Sequence, residues 1–137
     1  MQISERDRRE AKEVAYKLWN HFNAREWDEA RKLLADDFEA LWPQSREKIV
    51  GADNFITLNR EYPGKGTIKV CNSRYGYEEW EHIHEVTTKT LIKWIKPDGK
   101  EEELYAISLF NIDLEGLILS VEEYWAETYP ALSGENI

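Results

Sequence analysis

The sequence predicts an α+β fold in which short helices come first and an antiparallel meander follows. Apolar residues recur at helical spacing through the first third of the chain. From residue 67 onward, stretches rich in β-branched and aromatic residues take over. Between the strand-like stretches lie compact turn signals, the strongest being "KPDGK" at 96–100.

Ser4 followed by Asp7 has the spacing of a capping box, with Asp in the place usually held by Glu. Beyond it Ala11, Val14, Ala15, Leu18, Trp19 and Phe22 form one helical stripe, and "NARE" (23–26) breaks it. A second short helix is predicted to carry Trp27, Ala30, Leu33 and Leu34 and to end at Asp36 and Asp37. "FEALWP" (38–43) alternates as a strand, with Phe38, Ala40 and Trp42 on one face, and Pro43 stops it. "EKIVG" (47–51) reads as a short strand and "ADNFITLNREY" (52–62) as a third helix that stops at "PGKG". Four strands remain: 67–77, 82–95, 102–112 and the last stretch, "LILSVEEYWAETYP" (117–130).

In "KPDGK" Pro97 and Asp98 suit a type I turn, and Gly99 can take the positive φ of the bulge that closes it. Pairing Lys96 with Lys100 then sets Ser108 opposite Thr88 and Phe110 opposite Val86. For the last hairpin, a four-residue loop "DLEG" pairs Ile112 with Leu117 and sets Glu123 opposite Ala106. A three-residue loop would instead set Glu122 opposite Ser108. Apolar matching favours the first, because Leu117, Leu119, Val121 and Trp125 then share a face. Glu123 falls on that apolar face and Glu122 on the other.

With 27 Asp and Glu against 18 Lys and Arg, the formal charge is −9, and no basic stripe is present. Nucleic acid and anionic membrane surfaces are therefore poor partners. The single cysteine, Cys71, excludes an intrachain disulfide and reads as an inert buried thiol in a reducing compartment. The charged start "MQISERDRRE" lacks the apolar core of a signal peptide, and no apolar run reaches the roughly 20 residues of a membrane helix. The expectation is a cytoplasmic protein forming one domain over residues 1–137.

Glu123 is the candidate acid/base, because a carboxyl group on an apolar wall has its charged form destabilised. The competing reading is a structural glutamate satisfied by Tyr16, Asn59 or Arg60. Six Trp and seven Tyr are an unusual supply of large rings. Trp19, Trp42, Trp80, Trp94 and Trp125, with Tyr62, could line a cavity for a flat or apolar ligand, or fill the core themselves. His84, Ser108, Phe110 and Val121 join that candidate lining from the inner strand faces. His82 and His84 share a strand face, but no third ligand accompanies them, so no metal site is assigned. His21 on the first helix reads as surface or dimer contact, and Gln44 and Glu47 as braces of the turn after the first strand. No phosphate-binding glycine loop and no nucleophile elbow occur, and no cofactor is implied.

"FNAREWDEARKLLADDFEALWPQSREKIVGADNFITLNREYPG" (22–64) and "EEYWAETYP" (122–130) resemble the nuclear transport factor 2-like superfamily, in particular its SnoaL-like, polyketide cyclase-related branch. The resemblance implies a cone, in which a strongly curved antiparallel sheet wraps the N-terminal helices around a pocket. It also implies a homodimer. Its members include ketosteroid isomerases, polyketide cyclases, dehydratases, epoxide hydrolases and non-catalytic binding domains. The isomerase machinery does not carry over. The position of its base is Trp42 here, that of its oxyanion tyrosine about Leu18, and that of its partner carboxylic acid about Ser108. The Asp that cyclases place after the final-strand Trp is Ala126. The isomerases' final-strand "YW", whose Trp lines the pocket, does match Tyr124 and Trp125. Two functions follow. One is binding of a small, largely apolar molecule with cofactor-free isomerase, dehydratase or cyclase chemistry on Glu123. The other is a non-catalytic binding or dimerisation domain whose pocket is filled by its own aromatics.

Overall fold

The computed structural model describes residues 2–128, so Tyr129 and Pro130 of the last stretch lie outside the described residues. Helix α1 (Glu5–Ala24) opens on the capping box: Asp7 N donates to Ser4 Oγ and Ser4 N to Asp7 Oδ2, both at 3.1 Å. It closes where Arg25 turns left-handed at φ 57°, its N–H reaching back to the His21 and Phe22 carbonyls. Its apolar stripe buries Ala11, Ala15, Leu18, Trp19 and Phe22. Asn23, just inside the end, exchanges two 2.6 Å hydrogen bonds with the backbone of Ile68 and so fastens the helix to an edge strand. No helix among the described residues is long and apolar enough to cross a membrane.

Helix α2 (Trp27–Arg31) is shorter than its spacing suggests. Leu34 does not continue it but opens strand β1 (Leu34–Trp42), with Asp36 and Asp37 inside the strand and exposed. Sheet pairing overrides the helical pattern here: Leu34 is aligned with Ile118, and Ile118 N donates to Leu33 O at 2.9 Å. Strand β2 (Glu47–Val50) and helix α3 (Ala52–Arg60) follow, then β3 (Lys65–Glu78), β4 (Ile83–Ile95), β5 (Glu101–Ile112) and β6 (Ile118–Glu127). All six strands form one curved, unclosed sheet in the order β2-β1-β6-β5-β4-β3. The meander is antiparallel as anticipated, but β1 lies parallel to β6. Cys71 is exposed, contrary to expectation, because it is the unpaired residue of a bulge between Val70 and Asn72.

The "KPDGK" hairpin behaves as its residues dictate. Lys96 N donates to Lys100 O and Gly99 N to Lys96 O, each at 2.9 Å, with Gly99 at φ 87°. Ser108 consequently faces Thr88, and Phe110 faces Val86. The second hairpin departs from its predicted register. Asp113 N donates to Leu117 O, Gly116 takes φ 90°, and Asp113 Oδ1 accepts from the backbone of Glu115 and Leu117. This is the three-residue loop, which alone would turn Glu122 inward. One inserted residue reverses that outcome: Ile112 pairs with Ile118 but Asn111 with Ser120, leaving Leu119 as a bulge. Beyond it Phe110 faces Val121, Ser108 faces Glu123 and Ala106 faces Trp125. Glu123 is on the inner face, two positions from its predicted partner. Ile118, not Leu117 or Leu119, is the buried residue at the strand's start.

The core lies between α1, α3 and the inner sheet face. Trp19 meets Phe22 and Phe110 edge-on at centroid distances of 5.6 and 5.7 Å, and Phe38 packs on Phe55 at 4.8 Å. The Trp19 indole N–H is satisfied by Thr88 Oγ1 at 3.1 Å.

The bulge makes a direct prediction. Inserting one residue between Ser120 and Val121 should turn Val121, Glu123 and Trp125 outward and cost about 3 kcal/mol or more of unfolding free energy, since a fully buried Val alone contributes about 2. Leu119→Ala keeps the residue count and should cost about 1 kcal/mol. Urea unfolding of both variants checks this, and equal losses would refute the register argument.

Candidate functional site

A cavity of about 410 Å³ opens on the concave side of the sheet, and Glu123 stands in its wall. Its carboxylate is held from two neighbouring strands. Oε1 accepts from Trp42 Nε1 of β1 at 3.1 Å, and Oε2 accepts from the fully buried Ser108 Oγ of β5 at 2.8 Å. Both donors are neutral, and no cationic side chain among the described residues forms an ion pair with it. Burial pushes its pKa above the ordinary carboxylate range, and the Trp42 and Ser108 hydrogen bonds offset this in part. The helix-borne partners the sequence suggested are engaged elsewhere. Tyr16 donates to Ser73 at 3.3 Å, Asn59 to Phe55 O at 2.8 Å, and Arg60 lies 3.8 Å from Glu61.

Two perpendicular aromatic pairs shape the walls. Trp42 and Trp125 meet at 6.1 Å and 85° beside Glu123. Gln44 fixes this corner by accepting from Trp125 N, which ties the loop after β1 to β6. Tyr62 and Trp94 meet at 5.5 Å and 70°, and Trp94 Nε1 donates to Pro63 O at 2.9 Å. The glycines of "PGKG", which read as a turn, serve the close approach of this second indole. A Cβ on Gly66 would stand 2.7 Å from Trp94 Cε3 and 2.0 Å from the Lys93 carbonyl oxygen. Trp19 reaches the cavity from α1.

The other residues singled out from the sequence fall elsewhere. Phe110 and Val121 are core, packed under α1 instead of lining the cavity. Ser108 lies behind Glu123 as its donor. His84 is buried away from the cavity, with Nδ1 2.7 Å from Tyr75 Oη and both Tyr75 and Tyr77 packed on its ring. Burial lowers its pKa, with Asp7 and Asp113 opposing. His82 pairs separately with Tyr77 at 3.0 Å, and no cluster of three metal-ligating side chains occurs among the described residues. Trp80 is 92% exposed. Sequence reasoning missed Trp27 and Glu102 as lining residues and gave Glu47 only a bracing role. Trp27 had been read as helix packing, and Glu102 as part of a solvated acidic run. Its position on the inner face of β5, in step with Leu104 and Ala106, was the available signal.

Neither the family models nor the curated proteins compared with this chain match it. Solved structures do. A protein from Kribbella flavida DSM 17836, provisionally named a ketosteroid isomerase, is similar at 25% identity and TM-score 0.71, over 94% of this chain and 87% of the other. An NTF2-like protein of unknown function from Burkholderia xenovorans LB400 gives 22% identity and TM-score 0.72, over 90% and 88%. This chain has the nuclear transport factor 2-like fold. An LEH-like epoxide hydrolase from M. tuberculosis shares the fold at 19% identity and TM-score 0.70, over 88% of this chain and 85% of that one. SnoaL-like proteins also appear among its structural neighbours. Within this nuclear transport factor 2-like cone, two positions that resemblance assigns to the isomerase base and acid, Trp42 and Ser108, have become the two donors to Glu123. Leu18, at the third, is buried in the core.

The raised pKa fixes a sign for stability. A carboxyl group favoured in its protonated form by folding contributes stability below its unfolded pKa, and this is lost as pH rises through the folded value. Glu123→Gln removes the ionisation, so its stability advantage over the wild type should grow from acid to alkaline pH. Unfolding free energies measured across that range test this, and a pH-independent difference would contradict it.

Proposed function

We propose that this nuclear transport factor 2-like protein binds a small, largely apolar molecule in the cone and exchanges a proton with it through Glu123. The observation that carries the reading is a partly buried carboxyl group on the wall of an open cavity, held by two neutral donors and with no counter-cation paired to it among the described residues. Burial favours the acid form, the one able to donate a proton, and the Trp42 and Ser108 hydrogen bonds oppose that preference. Isomerisation, dehydration and cyclisation can proceed by such transfers without a cofactor. Isomerase and hydrolase names among the structural neighbours fit a cone used for chemistry, although the isomerase residue set itself is replaced. An unfilled volume of about 410 Å³ favours this over a pocket closed by its own aromatics.

The homodimer implied by the family resemblance is assigned to the outer sheet face. Tyr105, Ile107 and Leu109 of β5 and Tyr124 of β6 form an apolar row there, each 36–39% exposed. Lys89 and Lys93 of β4 flank one side and Glu122 of β6 the other, an arrangement that a two-fold axis makes self-complementary.

Two measurements test these assignments. In a thermal-shift screen of apolar metabolites, binders should stabilise the wild type and shift Glu123→Gln by a different amount. Equal shifts would separate the carboxylate from the ligand, and no shift with any compound would defeat the binding reading. For the dimer, Ile107→Glu should give a monomer by sedimentation velocity while the fold, judged by circular dichroism, is retained. An unchanged sedimentation coefficient would reject that interface.

A further inference from the structure

The walls of the cavity bear on the charge of the ligand as well as its size. Three acidic side chains line it, Glu47, Glu102 and Glu123, against one cationic side chain, Arg25. The Arg25 charge is already engaged: its guanidinium lies 5.3 Å over the Trp27 ring and Nη2 donates to Arg60 O at 3.3 Å. Glu102 is within 3.6 Å of Lys96 Nζ, whose side chain is half exposed, whereas Glu123 meets only neutral donors. The aromatic faces add to the same sign. Each ring presents a negative face, and perpendicular pairs such as Trp42–Trp125 and Tyr62–Trp94 form corners in which a cation can lie against two rings.

A neutral hydrocarbon-like ligand entering this cavity would strip water from its acidic side chains with nothing in return. An anion would meet like charges. A cation with an apolar body offsets the desolvation and uses the aromatic faces. Resting on the binding reading above, we propose that the cavity takes an organic ammonium ion, a tertiary or quaternary amine attached to an apolar group. An alkylated ammonium suits the site because it has few or no N–H donors to satisfy, and the indole faces can replace its weak hydration. Its charge beside Glu123 would also favour the carboxylate, the form able to accept a proton from the ligand.

The test compares two probes of the same shape on the wild-type protein, benzyltrimethylammonium and neopentylbenzene, by quenching of tryptophan fluorescence and by calorimetry. The cation is expected to bind about tenfold tighter or better, the equivalent of about 1.4 kcal/mol of cation–π and charge attraction. The double variant Glu47→Gln/Glu123→Gln should lose most of that preference while retaining the neutral probe. If the neutral probe binds as tightly as the cation, the ammonium inference is wrong and the apolar-pocket reading stands. If neither binds, both fall. The wild-type comparison decides the matter even where the variant does not fold.

Discussion

A strand can offer its side chains to only two faces, and in β6 one inserted residue decides which of two adjacent glutamates turns inward. The Asp113–Leu117 turn sets one register, and the Leu119 bulge shifts it by one residue before Val121 is reached. Val121, Glu123 and Trp125 all depend on that shift, since side-chain direction alternates strictly beyond it. Through them so do the floor of the core and the wall of the cavity. The parallel pairing of β1 with β6 is irregular over the same region, between Leu34 and Glu39, so the neighbouring strand adjusts along with it.

Once Glu123 is inside, its surroundings follow from the cost of burying a carboxyl group. An ionised carboxylate away from water requires hydrogen bonds or a counter-charge. This fold supplies the first from the strands on either side, Trp42 on β1 and Ser108 on β5. Neutral donors satisfy the oxygens without fixing the charge, which leaves the group responsive to whatever enters the cavity. A paired Arg or Lys would have held it ionised and made it structural. The Trp42 indole serves twice, as donor to Glu123 and as one ring of the Trp42–Trp125 corner.

Much of the fold was legible because it rests on local rules. The Ser4–Asp7 cap, the stripe from Ala11 to Phe22 and the "KPDGK" turn each express a physical preference confined to a few residues. The inward side of Glu123 was legible too, although by a register two positions off, because a shift of two preserves the face. Where the reading failed, a distant partner had overruled the local pattern. Leu33 and Leu34 fit a helix, yet the pairing with Ile118 drew Leu34 into a strand. Phe110 and Val121 were correctly given inner faces, but whether an inner face meets a cavity or a helix depends on where α1 lies.

By itself the sequence determined the order of helices and strands and the first hairpin's register, through periodicity and turn stereochemistry within short spans, and the choice of Glu123 over Glu122, through the apolar alternation of Val121 and Trp125 on either side of it. Only the tertiary structure decided that Trp42 and Ser108 would hold Glu123, that His84 would be sequestered by Tyr75, and that Glu47 and Glu102 would join it around one cavity. Trp42 and Glu123 are 81 residues apart in the chain. Contacts of that range are set by how the sheet curves and how its strands are ordered, which no local preference specifies.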